Sequence, residues 1–334
     1  MENNLLSVLT REGVLIKVSV SFWRGCKKLK AEDLGLKSED VSNRLISLGH
    51  KRLLPKEATQ ALALIEGRAH SLIESSTFPF LNGLAHFLPN AKLADVTGKL
   101  QELQLEFWLA KEAFLKQYGS LRSDASTEWY RMAAKLVDDP DRYVSSIEAA
   151  FPLPNQMERY YAFSIQLFQI SVPERLGLDL VTVADQQQVM AARELAAREA
   201  SVQIRQGVHA FVSECVASLR EQTAKLCREM LASINGCETG VHQKTLNRLV
   251  RFIDQFKQMN FANDSAMENQ LEQVRRDLLS RTAEEYRDSS HARRKLREGL
   301  EQLGNRAAEL ARADTSELVG RFGELGRRKF HLAA

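Results

Sequence analysis

The segment from Asp185 to Gly236, DQQQVMAARELAAREASVQIRQGVHAFVSECVASLREQTAKLCREMLASING, limits what this chain can fold into more than any other. It runs about fifty residues without proline and closes on Asn235-Gly236, a pair that ends helices because glycine takes the left-handed backbone cheaply. The spacing predicts one helix of roughly 75 Å, at about 1.5 Å per residue. Leu195, Val202, His209, Val216, Thr223 and Met230 recur at heptad spacing, and Arg198, Arg205, Val212, Leu219 and Leu226 stand three places later. The resulting seam comprises Leu195, Val202, His209, Val212, Val216, Leu219 and Leu226. Arg198 and Arg205 interrupt its second row, so it is convincing only from His209 onward, and Ile204, Val208 and Phe211 offer a neighbouring stripe before it.

A second helix of about fifty residues is predicted from near Asp264. Met267, Leu271, Val274 and Leu278 form a seam that fades through RTAEEYRDSSHARRKLR and resumes at Leu296, Leu300, Leu303, Ala307 and Leu310. Two helices of like length imply a long antiparallel stalk or coiled coil over 185–334. A shorter helix near 242–259 carries Leu246, Leu249, Ile253 and Phe256 on one face, and Gly320, Gly323 and Gly326 mark a flexible C-terminal tail.

Residues 1–184 read as a mixed region. Ile16, Val18, Val20 and Phe22 share one face, and Lys17, Ser19, Ser21 and Trp23 the other, which is the period of a half-buried strand near 14–23. A lone strand cannot satisfy its own backbone, so it needs a partner. The best partner lies near 161–172 in YYAFSIQLFQISVP, where the alternation of Tyr161, Phe163, Ile165 and Leu167 flips parity to Phe168, Ile170 and Val172. LDLVTVAD from Leu178 is a weaker third. Helices fill the rest: one opened by Pro55, a long one from Ala91 to about Leu121, a separate short one at STEWYRMAAKLV, and one whose start at Asp139-Pro140 reads as an N-cap followed by proline. The fold class is therefore mainly α, a long helical stalk plus a region holding a small two- or three-stranded antiparallel sheet.

Composition narrows function by exclusion. With 46 Lys and Arg against 43 Asp and Glu, the net charge of +3 describes a mixed-sign surface better than a polyanion binder. Cys26, Cys215, Cys227 and Cys237 show no C-x-x-C spacing, as expected of reduced thiols. The start, MENNLLSVLTREGV, lacks a basic region before a long apolar run, and no stretch approaches the roughly 18 apolar residues of a membrane span. A cytoplasmic protein is expected.

The motifs of catalysis are not found in the sequence. VTGKLQE, at Gly98-Lys99, lacks the first glycine and the hydroxyl of a phosphate-binding loop, and G-x-S-x-G, H-E-x-x-H and G-x-G-x-x-G do not occur. Asp138, Asp139 and Asp141 are explained by a capped helix start. His209 and Cys215 lie about 240° apart around one helix and cannot share a metal ion. No enzyme, cofactor or metal is expected. Basic clusters do recur: Arg24, Lys27, Lys28 and Lys30; His50-Lys51-Arg52; Arg293, Arg294, Lys295 and Arg297; and Arg327-Arg328-Lys329. They fit either docking of an acidic protein partner or neutralisation of nucleic-acid phosphates, with Trp23 stacked on a base. Interleaved acids, as in KAED and TAEEYRD, favour the first reading. The turn from Trp23 to Lys30 is then an exposed docking edge.

GVLIKVSVSFWRGCKKLKAEDLGL, LISLGHKRLLPKEA, FWLAKEAFLKQY and YYAFSIQLFQISVP resemble the bacterial family called domain of unknown function 3150, from about Gly13 to Asn235. Members occur on plasmids, integrative conjugative elements and prophages, often encoded near a MoxR-type AAA+ ATPase and a von Willebrand factor A-domain protein. The resemblance implies a non-catalytic adaptor working with those partners, and it brings no catalytic residues. The alternative is a DNA-associated protein of the same element that uses the basic clusters.

Overall fold

The computed structural model describes residues 9–34, 36, 47–80, 83–169, 186–236 and 241–322. In chain order its elements are β1 (Gly13–Ser21), β2 (Cys26–Lys28), β3 (His50–Arg52), α1 (Gln60–Ser76), β4 (Phe78–Phe80), β5 (Ala85–Pro89), α2 (Asn90–Leu136), α3 (Pro140–Glu148), β6 (Ala162–Phe168), α4 (Gln186–Asn235), α5 (Gln243–Met259), α6 (Ser265–Leu278), α7 (Ala283–Asp288) and α8 (Ser290–Phe322). The chain is mainly α, with a four-stranded antiparallel sheet and a two-stranded one. It packs as two units, one from 1–17, 73–96 and 166–334, the other from 18–72 and 97–165.

The larger sheet has the order β4-β5-β1-β6. β6 flanks β1, as the alternation around Phe163 implies; Ile170, Val172 and the stretch 178–185 lie outside the described residues. On its other side β1 runs antiparallel to β5, from Gly13 opposite Pro89 to Ile16 opposite His86. The sequence reading does not anticipate β4 and β5. β4 is an edge strand, which is why it tolerates Pro79 and its missing backbone donor. Gly13 is required by close approach, because a Cβ there would lie 2.5 Å from the Leu88 carbonyl oxygen and 2.5 Å from the Phe87 ring.

In the unit holding the long helices, α4 is continuous over 50 residues, as its sequence predicts. It runs antiparallel to α8: Arg220 meets Asp314, and Cys227 meets Gly304, so one number falls as the other rises. Rows from both helices close on the faces of α5 and α6 in one apolar core, with Leu219, Leu226, Leu296, Leu300, Leu249 and Leu271 buried. At one end of this core the strands contribute phenylalanines. Phe80 meets Phe211 edge-on at 4.9 Å, and Phe87 lies 4.6 Å from Phe261 and 5.6 Å from Phe211.

Two expectations for this unit need correction. The helix expected from Asp264 is three helices, because local caps open each one: Asp264 accepts from the Met267 amide at 3.2 Å, Thr282 and Glu285 form a reciprocal capping box, and Ser289 accepts from the Ala292 amide at 3.2 Å. The seam is also shorter than its heptads. Val212, Leu219 and Leu226 are buried and His209 and Val216 half-buried, but Leu195 and Val202 are 59% and 54% exposed. Arg198 and Arg205 are exposed beside them, and a face with a cation every second turn is not worth covering.

In the other unit, α2 continues to Leu136 where the sequence suggests a break near Leu121. Ser120 donates to the Gln117 carbonyl and Thr127 to that of Ser123, so the polar stretch satisfies itself along the helix. Asp139 caps α3 as predicted, accepting from the Arg142 amide at 3.0 Å behind Pro140. No helix among the described residues is long and apolar enough to cross a membrane.

Candidate functional site

The turn after β1 is where sequence and structure differ most. Trp23 is 8% exposed, not displayed. The parity of β1 would place it with exposed Lys17, Ser19 and Ser21, but the strand ends at Ser21 and the ring turns inward, meeting Tyr118 edge-on at 5.8 Å and lying 5.9 Å from Phe151 and 6.3 Å from Phe114. It is therefore the anchor of this turn, and it has no free face for a base. Gly25, at φ +59°, then takes the left-handed backbone between β1 and β2. Arg24 is exposed but engaged, donating through Nη2 to both Glu66 carboxylate oxygens at 2.7 and 2.9 Å.

Past Gly25, β2 and β3 pair antiparallel: Cys26 opposite Arg52, Lys27 opposite Lys51 and Lys28 opposite His50. Two basic clusters about twenty residues apart thereby become one ribbon, since directly opposed residues share a face. Backbone bonds close both ends, Leu29 N–H to Gly49 O at 3.0 Å and Leu53 N–H to Gly25 O at 2.6 Å.

Lys51 fixes the ribbon to the body of the unit. Its Nζ donates to Asp33 Oδ1 at 2.6 Å, with Asp33 buried and Lys51 half-buried, and Asp33 Oδ2 accepts from the Lys30 amide at 2.8 Å. The Tyr143 ring on α3 lies 5.2 Å from the same ammonium. Burial, with the adjacent Asp33 carboxylate second, pushes the Tyr143 hydroxyl up to about 12. So Lys51 is consumed by anchoring. Lys27, Lys28, Lys30, His50 and Arg52 are left exposed, and no carboxylate of the described residues pairs with Lys27, Lys28, Lys30 or Arg52.

Arg52 also borders an apolar cavity of about 260 Å³. Buried Leu53 and Leu54 line it together with Pro55, Ala125, Trp129, Met132 and exposed Glu128. The Trp129 ring lies 5.9 Å from that of Tyr143, so the pocket wall and the Lys51 anchor share one support. Sequence reasoning missed Tyr143, Trp129 and the pocket. Nothing in one-dimensional spacing joins residue 52 to residue 129.

The other predicted contacts belong to the long-helix unit. Arg294, Lys295 and Arg297 are exposed on α8 and Arg293 is half-buried there, with Arg294 paired to Glu298 at 3.6 Å. A groove of about 450 Å³ beside them is bordered by Lys295 and Arg306 but also by Asp277 and Glu298, so it carries both signs. Arg327, Arg328 and Lys329 lie outside the described residues. Cys215 and Cys227 are buried and Cys26 half-buried, all as free thiols; burial pushes the Cys227 thiol up to about 12. Among the described residues no group of three or more His, Cys, Asp and Glu side chains could hold a metal ion.

Fold and site together define a mainly helical protein with a small antiparallel sheet and a preassembled basic ribbon. Residues 10–287 match the family described as Protein of unknown function (DUF3150), and the chain belongs to that family. No curated protein matches it. No solved structure does either.

Proposed function

We propose that this chain is a non-catalytic interaction protein that docks an acidic surface of a protein partner on the β2–β3 ribbon. It works in the cytoplasm as an adaptor of a mobile genetic element, a plasmid, conjugative element or prophage. Its partners are the MoxR-type AAA+ ATPase and the von Willebrand A-domain protein that the family resemblance implies. One observation carries the reading: Lys28 and Arg52 come to one face from two segments, with Lys27 and Lys30 exposed beside them and none of the four paired to a carboxylate of the described residues, on a ribbon held by the Lys51–Asp33 pair. Cations in a fixed array steer an acidic partner and set its register.

The test mixes the purified chain with the ATPase and the A-domain protein encoded beside it and follows complex formation by size exclusion. A complex with either one, lost on the double substitution Lys28→Glu and Arg52→Glu, is the expected result. No complex, or one indifferent to the charge reversal, would overturn the proposal. The same exposed cations favour DNA association as a second reading, which a titration on single- and double-stranded DNA at low salt decides, since phosphate neutralisation is strongest there.

A further inference from the structure

We infer that the ribbon and the Arg52 pocket form one composite site, whose occupant is an acidic peptide segment of the partner carrying a single apolar side chain. The inference rests on the docking role just proposed and goes further in naming the recognition element. Arg52 belongs to both parts, ending β3 and bordering the cavity. On β3 it shares a face with His50, two residues back, and His50 is directly opposite Lys28. Charge thus extends from the pocket mouth along one face of the ribbon.

Size and chemistry select the occupant. At about 260 Å³ the cavity is below the range of roughly 300–1,000 Å³ typical of small-molecule sites, and its lining is mostly apolar. It suits one buried side chain. Trp23 is buried and offers no stacking face for a base, so the apolar pocket is what favours a peptide side chain over a nucleic-acid strand on this part of the surface. The spacing also sets a pattern. Cα atoms two residues apart on β3 are about 7 Å apart, which is two residues of an extended peptide. The anchor residue is therefore followed about two places later by the first acidic residue over Lys28 and His50, with a neutral residue facing Glu128.

Three fluorescein-labelled probes test this by anisotropy at low salt: octaglutamate, the same peptide extended by a leucine and a neutral spacer residue, and an oligothymidylate of matched charge. Leucine buried in the pocket tightens binding about tenfold or more over octaglutamate, from its transfer free energy. It also changes Trp129 fluorescence, and Met132→Gln removes the gain. Arg52→Ala with Lys28→Ala weakens both peptides. If octaglutamate binds and leucine adds nothing, the pocket inference is overturned while the docking role stands. Failure of both peptides overturns the two together. Tighter binding of the oligothymidylate than of either peptide overturns the peptide assignment in favour of nucleic acid.

Discussion

Arg220 joins three elements of the long-helix unit, and its removal gives a quantitative test of how they are held. From α4 its Nε donates to Asp264 Oδ2 and its Nη1 to Asp314 Oδ2, both at 2.7 Å. Asp264 is nearly inaccessible, with its side chain 4% exposed, and its other oxygen caps α6; Asp314 on α8 is 23% exposed. Arg220→Met keeps the apolar stem but strands a buried carboxylate. Breaking such a pair from one side costs about 3–5 kcal/mol, and the low end is expected because Asp314 reaches water and Asp264 keeps its cap bond. Asp264→Asn retains the capping oxygen and removes the charge. The double substitution Arg220→Met with Asp264→Asn is therefore expected to recover about 1–3 kcal/mol of the loss. Urea unfolding followed by helical circular dichroism reads the change. All three tryptophans, Trp23, Trp108 and Trp129, belong to the other unit, so fluorescence separates a local loss from a general one. A loss under about 1 kcal/mol, or a double variant no better than Arg220→Met, would refute an uncompensated buried charge as the cause.

Gly13→Ala forces a methyl against the Leu88 carbonyl and the Phe87 ring; a cost of about 1–3 kcal/mol, read by thermal melting, is expected, and an unchanged melt would contradict the β1–β5 contact. Leu226→Ala opens a cavity between helices and costs about 2–5 kcal/mol, whereas Leu195→Ala on the exposed half of α4 stays within about 0.5 kcal/mol; equal effects would restore the full heptad seam. Tyr143 titrates from 10.0 when unfolded to about 12 when folded, so the native state holds its proton longer. Stability is then full below pH 10 and falls as pH rises towards 12, and Tyr143→Phe flattens that alkaline fall in urea midpoints measured across the window. Cys26 is expected to react with iodoacetamide in the folded protein at neutral pH well before Cys227, whose burial and raised thiol both disfavour the thiolate; equal rates would place Cys227 nearer the surface than its packing does.

Features legible in the sequence were those set by local periodicity or local chemistry. The length of α4, the apolar faces of α5 and α6, the strand at Ile16, its neighbour at Phe163 and the Asp139 cap all follow from residues near one another. Where the reading failed, a second segment decided the outcome. Four cations follow Trp23 in no pattern that shows which side of the turn it takes; Phe114, Tyr118 and Phe151 settle that. The hairpin of β4 and β5 carried a signal, Asn82-Gly83 between TFPF and AHFLP, that short apolar runs beside two long helices obscured.

By itself, then, the sequence determined that this is a mainly α chain with one helix of 50 residues, since a proline-free amphipathic run has few other ways to satisfy its backbone. Which cations act together was decided only by tertiary structure. Lys28 and Arg52 reach one surface because β2 and β3 pair in a register that sets His50 opposite Lys28 and Arg52 opposite Cys26, while Lys51 is drawn into the body by Asp33. Strand pairing and buried charge depend on residues far apart in sequence, and their energy exists only once those residues meet.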